Sequence, residues 1–121
     1  VLTGPFDRVE EEGDGIRIID FKTSAPLSQD KLDADVQLSI YALAAKDIWK
    51  KPVTSLVLLS LQDDACIEQH TTRNESQLKD ALRTIEILEE GILSGDFRAT
   101  ASVAVCSRCP YKEICPASVA R

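Results

Sequence analysis

No apolar run in the sequence approaches the ~20 residues that a helix needs to cross a bilayer, and no signal-peptide pattern opens it. A membrane protein is therefore not expected, and the cytoplasm is the expected compartment. Positive charge is in deficit as well: 14 Lys and Arg stand against 20 Asp and Glu, a formal net charge of −6. That disfavours a free-standing polyanion binder, because neutralising phosphates takes Lys and Arg. A nucleic-acid enzyme is not excluded, since part of the negative charge would be metal ligands and a basic channel could come from other segments or a partner. Histidine is nearly absent. The single one, His70, has no partner at metal-ligand spacing and reads as a surface strand residue. No G-x-x-x-x-G-K-[ST] phosphate loop occurs, so any ATPase would lie elsewhere. Repeats and low-complexity blocks are missing too. The chain starts at Val1 and runs at once into strand-like sequence, so it is expected to begin inside a larger protein. What remains is the composition of an ordinary globular domain, 44% hydrophobic and 28% charged over 121 residues, enough for one hydrophobic core.

The stretch from Arg17 to Ser24 organises that core. Asp20 and Lys22 stand two apart at the end of an apolar run, and alternate strand residues share a face. In a strand both would project beside Ile16 and Ile18. A carboxylate and an ammonium next to apolar groups are costly to desolvate, which makes them candidates for a site. Just upstream, Gly13-Asp14-Gly15 supplies tight-turn chemistry between two runs that could pair as a hairpin. A two-residue turn at Gly13-Asp14 sets Asp7 opposite Asp20; a turn at Asp14-Gly15 sets it opposite Lys22. Either register keeps Asp7 on the face of Asp20 and Lys22. Opposed side chains lie ~5 Å apart at Cβ. Two acids so close repel unless something positive sits between them, and a divalent cation would serve. The plain alternative is a surface ladder of salt bridges.

The rest of the chain reads in order. Residues 2–9 and 16–23 form the hairpin, and 24–32 a loop that could act as a flap beside the site. Residues 33–50 read as a helix, with Val36, Ile40, Leu43 and Ala44 at helical spacing and Pro52 marking its end. Gln37 and Tyr41 share one face of it, which on its own fits an amphipathic border. Residues 53–61 look like a strand buried on both faces, and 65–71 like the next strand, toward an edge. Asn74 or Ser76 is placed to cap a second helix whose core face is Leu78, Leu82, Ile85, Leu88 and Ile92, fraying at Gly91 and Gly95. Phe97 is expected to anchor the exit. The order gives a mixed α/β class, with residues 1–98 as the core and an irregular cysteine-rich tail over 99–121.

That tail carries Cys106, Cys109 and Cys115 as C-x2-C-x5-C, a spacing that favours metal or redox chemistry over disulfides. Zinc and iron–sulfur clusters both accept such ligands. Cys66 could be a fourth, but a small buried strand residue is the favoured reading of it.

Three segments together resemble a known family: Gly4-Pro5-Phe6-Asp7-Arg8, then Asp20-Phe21-Lys22-Thr23, then Gln37 through Tyr41. Their order and separation resemble the RecB-type branch of the PD-(D/E)XK nuclease superfamily, across essentially the whole chain. The resemblance implies a restriction-endonuclease-like core, a mixed central sheet with flanking helices. It implies Asp7, Asp20 and the Phe21 carbonyl as ligands of Mg²⁺ or Mn²⁺, and Lys22 as the catalytic lysine. Gln37 and Tyr41 would border the site and contact substrate or support the ligands. The implied activity is metal-dependent hydrolysis of DNA phosphodiesters, in an exonuclease module of a helicase–nuclease for repair or recombination. The implied partners are DNA and a helicase motor or partner subunit. A subset of that branch holds a 4Fe–4S cluster with three C-terminal cysteines and one upstream, which the tail resembles; the fourth cysteine would precede Val1, as would a helix bearing a metal-binding His or Glu. The site is thus expected to be incomplete in this fragment. The alternatives are an inactive module that binds DNA ends or a partner with a structural Cys-metal tail, and a zinc protein whose hairpin charges are incidental.

Overall fold

The computed structural model describes residues 3–120. They fall into two compact units, Val1–Glu86 and Ile87–Arg121. The first is built on a four-stranded sheet in the order β1-β2-β3-β4. β1 (Arg8–Glu12) and β2 (Gly15–Lys22) form an antiparallel hairpin across a two-residue turn at Gly13-Asp14. Gly13 has φ 58°, the left-handed region that a residue without Cβ enters freely. The ladder runs from Glu12 opposite Gly15 to Arg8 opposite Ile19. Continued by one residue, this register carries Asp7 to the level of Asp20.

The first strand differs from the expected 2–9 span. It begins at Arg8 and takes in Glu10, Glu11 and Glu12, while residues 4–6 have no regular structure and Leu2 lies outside the described residues. Pro5 has no N–H to give a ladder. Three successive glutamates are poor strand formers in a sheet interior, but β1 is an edge, where charge is tolerated and discourages further pairing.

From β2 the chain crosses over through α1 (Gln29–Asp33) and α2 (Val36–Trp49) to β3 (Val53–Leu61), which lies parallel to β2. The expected loop over 24–32 thus contains most of a short helix. The long helix starts three residues later than residue 33 because Asp35 caps it, its carboxylate accepting the Leu38 N–H at 2.8 Å. Lys50, at φ 54°, ends it before Pro52. β4 (Cys66–Thr71) then pairs antiparallel with β3 at the other edge. Gly15 is required where β3 begins: a Cβ there would meet the Pro52 carbonyl oxygen at 2.5 Å, the same oxygen that accepts the Ile16 N–H.

The core lies between one sheet face and the crossover helices. Ile16 and Ile18 of β2 and Leu56 and Leu58 of β3 meet Leu32, Leu38, Ala42 and Ala45. Burying a side chain such as Leu56 is worth about 1.5–3 kcal/mol relative to leaving it in water. Val57, on the opposite face, is buried as well, so the middle of β3 is covered on both sides as its apolar run implied. Arg73 ties the crossover to the end of β4. Its half-buried guanidinium donates to the Leu32 and Asp35 carbonyls at 3.0 Å each, to Ser39 Oγ at 2.7 Å and to Thr71 Oγ1 at 2.8 Å.

α3 (Glu75–Leu93) opens with a reciprocal cap: Gln77 N–H donates to Asn74 Oδ1, and Asn74 N–H to Gln77 Oε1, both at 2.9 Å. Leu78 packs against the core and Ala81 is buried. Its expected core face does not hold beyond that, because Leu82, Leu88 and Ile92 are exposed. A helical apolar period marks a stripe; it does not ensure that a layer lies against it.

In the second unit, α3 ends on Gly95 at φ 70°, with the Asp96 N–H bonded to the Gly91 carbonyl and the Gly95 N–H to that of Ile92. Phe97, expected as an anchor, is 77% exposed. A single helical turn, α4 (Val103–Cys106), is capped by Ser102, and irregular turns follow it. The fold is the expected mixed α/β sheet with flanking helices and an irregular cysteine-bearing tail, consistent with a restriction-endonuclease-like core. No helix among the described residues is long and apolar enough to cross a membrane.

Candidate active site

Pleating places Ile16, Ile18, Asp20 and Lys22 on one face of β2. The two isoleucines end in the core beneath α2, and Asp20 follows them inward at 2% exposure. Lys22 closes the strand with its side chain one third exposed. Parallel pairing sets Asp20 beside Leu58 and Lys22 beside Ser60.

The Lys22 ammonium joins strand to helix. Its Nζ lies 2.8 Å from Asp20 Oδ2 and donates to Gln37 Oε1 at 2.7 Å. Gln37 Nε2 in turn donates to the Tyr41 hydroxyl at 2.8 Å, one helical turn further on. The Tyr41 ring lies against Phe6, centroids 5.1 Å apart, and Phe6 meets Trp49 edge-on at 5.4 Å. The Gly-Pro-Phe-Asp segment is thereby packed onto the helix that carries Gln37. Asp20 beside it holds the Lys22 ammonium above the ordinary lysine range, against the smaller opposing effect of burial.

Asp20 is only partly satisfied. The buried Oδ2 has the Lys22 ammonium at 2.8 Å as its ion-pair partner and no hydrogen bond beyond it among the described residues. One ammonium leaves a lone pair of this buried carboxylate open to a further cation or an ordered water.

Asp7 is exposed, and its Oδ2 accepts the Phe21 N–H at 2.9 Å. The carboxylate is thus fastened to the peptide unit that joins Asp20 to Phe21. A strand residue turns its N–H and C=O to the same edge, so the Phe21 carbonyl lies on the Asp7 side. Asp20, Phe21, Lys22, Gln37 and Tyr41 are brought together, and Asp7 is tied to them through the backbone.

The cysteines depart from expectation. Cys66 is exposed, not buried, at the start of edge strand β4. Cys106 is buried, and Cys109 and Cys115 are half-buried, in turns closed by the bonds Cys109 N–H to Cys106 O and Cys115 N–H to Tyr111 O. The three do not converge on a common point: no group of three or more His, Cys, Asp or Glu among the described residues is arranged to hold a metal ion. Sequence spacing put them on successive short turns. His70 is an exposed strand residue 3.0 Å from Glu68.

Two residues escaped the sequence reading. Ser60 is fully buried, and its hydroxyl has no partner among the described residues. Arg73 makes the hydrogen bonds described above. A serine inside the apolar run of β3 was the available signal for the first; nothing local marked the second. Four cavities are not lined by the assembled residues; one of about 500 Å³ is bounded by Gln29, Asp33, His70 and Gln77.

Comparison with protein families matches the model of the PD-(D/E)XK nuclease superfamily to residues 1–116. Neither curated proteins nor solved structures yield a match.

Proposed function

Because the chain belongs to the PD-(D/E)XK nuclease superfamily, we propose that it hydrolyses DNA phosphodiester bonds with a divalent cation, using Asp20 and Lys22 at the end of β2 as its centre. The observation that carries this reading is the buried Asp20 carboxylate 2.8 Å from an ammonium that Gln37 aligns. Asp20, Asp7 and the Phe21 carbonyl form an all-oxygen donor set, which suits Mg²⁺ or Mn²⁺ better than zinc. When bound, such an ion would polarise a phosphate oxygen and favour deprotonation of water.

The chain's own residues have separate tasks. Lys22 holds a positive charge where a phosphate oxygen would become more negative, and it orients the attacking water. Gln37 and Tyr41 keep that ammonium from swinging away between turnovers. Asp7 stiffens the β2 end through the Phe21 amide. Membership of the RecB-type branch, and a place as the exonuclease module of a helicase–nuclease in repair or recombination, follow from the motif resemblance. An iron–sulfur cluster is a different matter: the tail cysteines as placed do not fit one, and no step is assigned to it.

The test is cleavage of end-labelled DNA by the purified protein with Mg²⁺ or Mn²⁺ and with chelator. Chelation abolishes cleavage, and Asp20→Asn or Lys22→Ala each lowers kcat by about 100-fold or more. Unchanged cleavage in both variants would reject the site. Binding of DNA ends without any metal-dependent hydrolysis would favour the inactive-module alternative.

A further inference from the structure

Two buried oxygens near the site have no hydrogen-bond partner among the described residues: Asp20 Oδ2 and Ser60 Oγ. They are not scattered. Ser60 lies directly across from Lys22 in the parallel ladder, so it is diagonal to Asp20 and on the same sheet face. Both residues are at least 98% buried, Ser60 with no exposure at all. A serine hydroxyl in an otherwise apolar strand position is unfavourable when nothing accepts or donates to it. Diagonal neighbours in a sheet have Cβ atoms somewhat under ~7 Å apart. The Asp20 and Ser60 side chains each reach inward from that separation. A buried water needs two to four polar partners, and Ser60 Oγ, Asp20 Oδ2 and the Lys22 ammonium on this one sheet face would supply three.

We propose that Ser60 is a positioning residue of the site, holding an ordered water between its hydroxyl, Asp20 Oδ2 and the Lys22 ammonium. Ser60 donates to the water, the water donates to Asp20 Oδ2, and a Lys22 proton not taken by Gln37 points to the water oxygen. Complete burial keeps Ser60 from touching substrate, so it acts only through its two neighbours. Its effect is to fix the angle between the carboxylate and the ammonium. The kinetic part of this inference rests on the nuclease reading, while the water itself does not.

The experiment measures thermal stability, cleavage kinetics and a high-resolution crystal structure for wild type, Ser60→Ala and Ser60→Cys. Ser60→Ala is expected to lower Tm by about 4 °C and kcat by about tenfold, with KM unchanged. Ser60→Cys, a near-isostere with a weak donor, falls between. The crystal structure shows a water within hydrogen-bond distance of Ser60 Oγ and Asp20 Oδ2. A hydroxyl that really has no partner gives the opposite sign: Ser60→Ala then raises Tm and leaves kcat alone, and that result overturns the proposal. A wild type without hydrolysis would end the nuclease reading, and the Tm sign and the water would still decide the role of Ser60.

Discussion

The β2–β3 layer and the segment from Phe97 onward contain comparable apolar residues and treat them in opposite ways. In the strands, Ile16, Ile18, Leu56, Val57 and Leu58 are each at most 2% exposed. In the later segment Phe97, Val103, Val105, Tyr111 and Ile114 are all more than half exposed, and Cys106 is the buried apolar residue. The difference lies in what hydrogen-bonds the backbone. Strands satisfied on both sides present two flat faces, and a helix laid on one of them excludes water from every second side chain. Single turns closed by local bonds, such as Cys106 N–H to Ser102 O, satisfy the backbone without creating a face. Rigid positioning of a charged pair is therefore available at Asp20 and Lys22, where the strand is anchored by burial. It is not available to three cysteines on consecutive turns.

Substitutions can break that comparison. The largest stability loss is expected at Leu56→Ala, about 3 kcal/mol, because it leaves a cavity at the centre of a strand with neighbours on both sides. A clear shift of the urea midpoint is the measurement. Arg73→Ala is expected to cost about 2 kcal/mol, since buried Ser39 and Thr71 lose a charged donor. An Arg73→Ala protein with an unshifted midpoint would mean that water replaces the guanidinium there. Gly15→Ala follows at about 1–2 kcal/mol, because its Cβ would press on the Pro52 carbonyl that accepts the Ile16 N–H. Gly13→Ala sharpens the point. No atom lies within 4 Å of its added Cβ, so only the φ penalty of about 1 kcal/mol remains.

How much of this was legible follows the same division. The hairpin and the doubly buried β3 could be read from period two and turn chemistry, because strand faces are determined by neighbours in sequence, whereas the choice between the Gly13-Asp14 and Asp14-Gly15 turns could not. The start of β1 could not, since Glu10 to Glu12 are tolerable only at an edge and edges are a property of the whole sheet. Gln37 and Tyr41 looked like an amphipathic border, and the bond from Lys22 to Gln37, with Tyr41 behind it, needed the crossover to bring α2 over β2. Arg73 was invisible for the same reason: its acceptors lie 34–41 residues away at Ser39, Asp35 and Leu32. Cysteine spacing gave the density of ligands without their direction, which depends on the dihedral angles of each turn.

The smallest effect expected is at Phe97→Ala, within about 0.5 kcal/mol, and it tests the comparison most sharply. An aromatic side chain normally contributes heavily to stability when buried, so truncation at a core site costs several kcal/mol. At 77% exposure Phe97 has little to lose. If Phe97→Ala instead lowered the urea midpoint as Leu56→Ala does, the apolar side chains of the later segment would have to be covered in solution. The contrast between a packed strand layer and a locally closed tail would then be false. An unchanged midpoint, with Leu56→Ala strongly shifted in the same buffer, leaves the contrast standing and assigns the free energy of folding to the layer that holds Asp20 and Lys22.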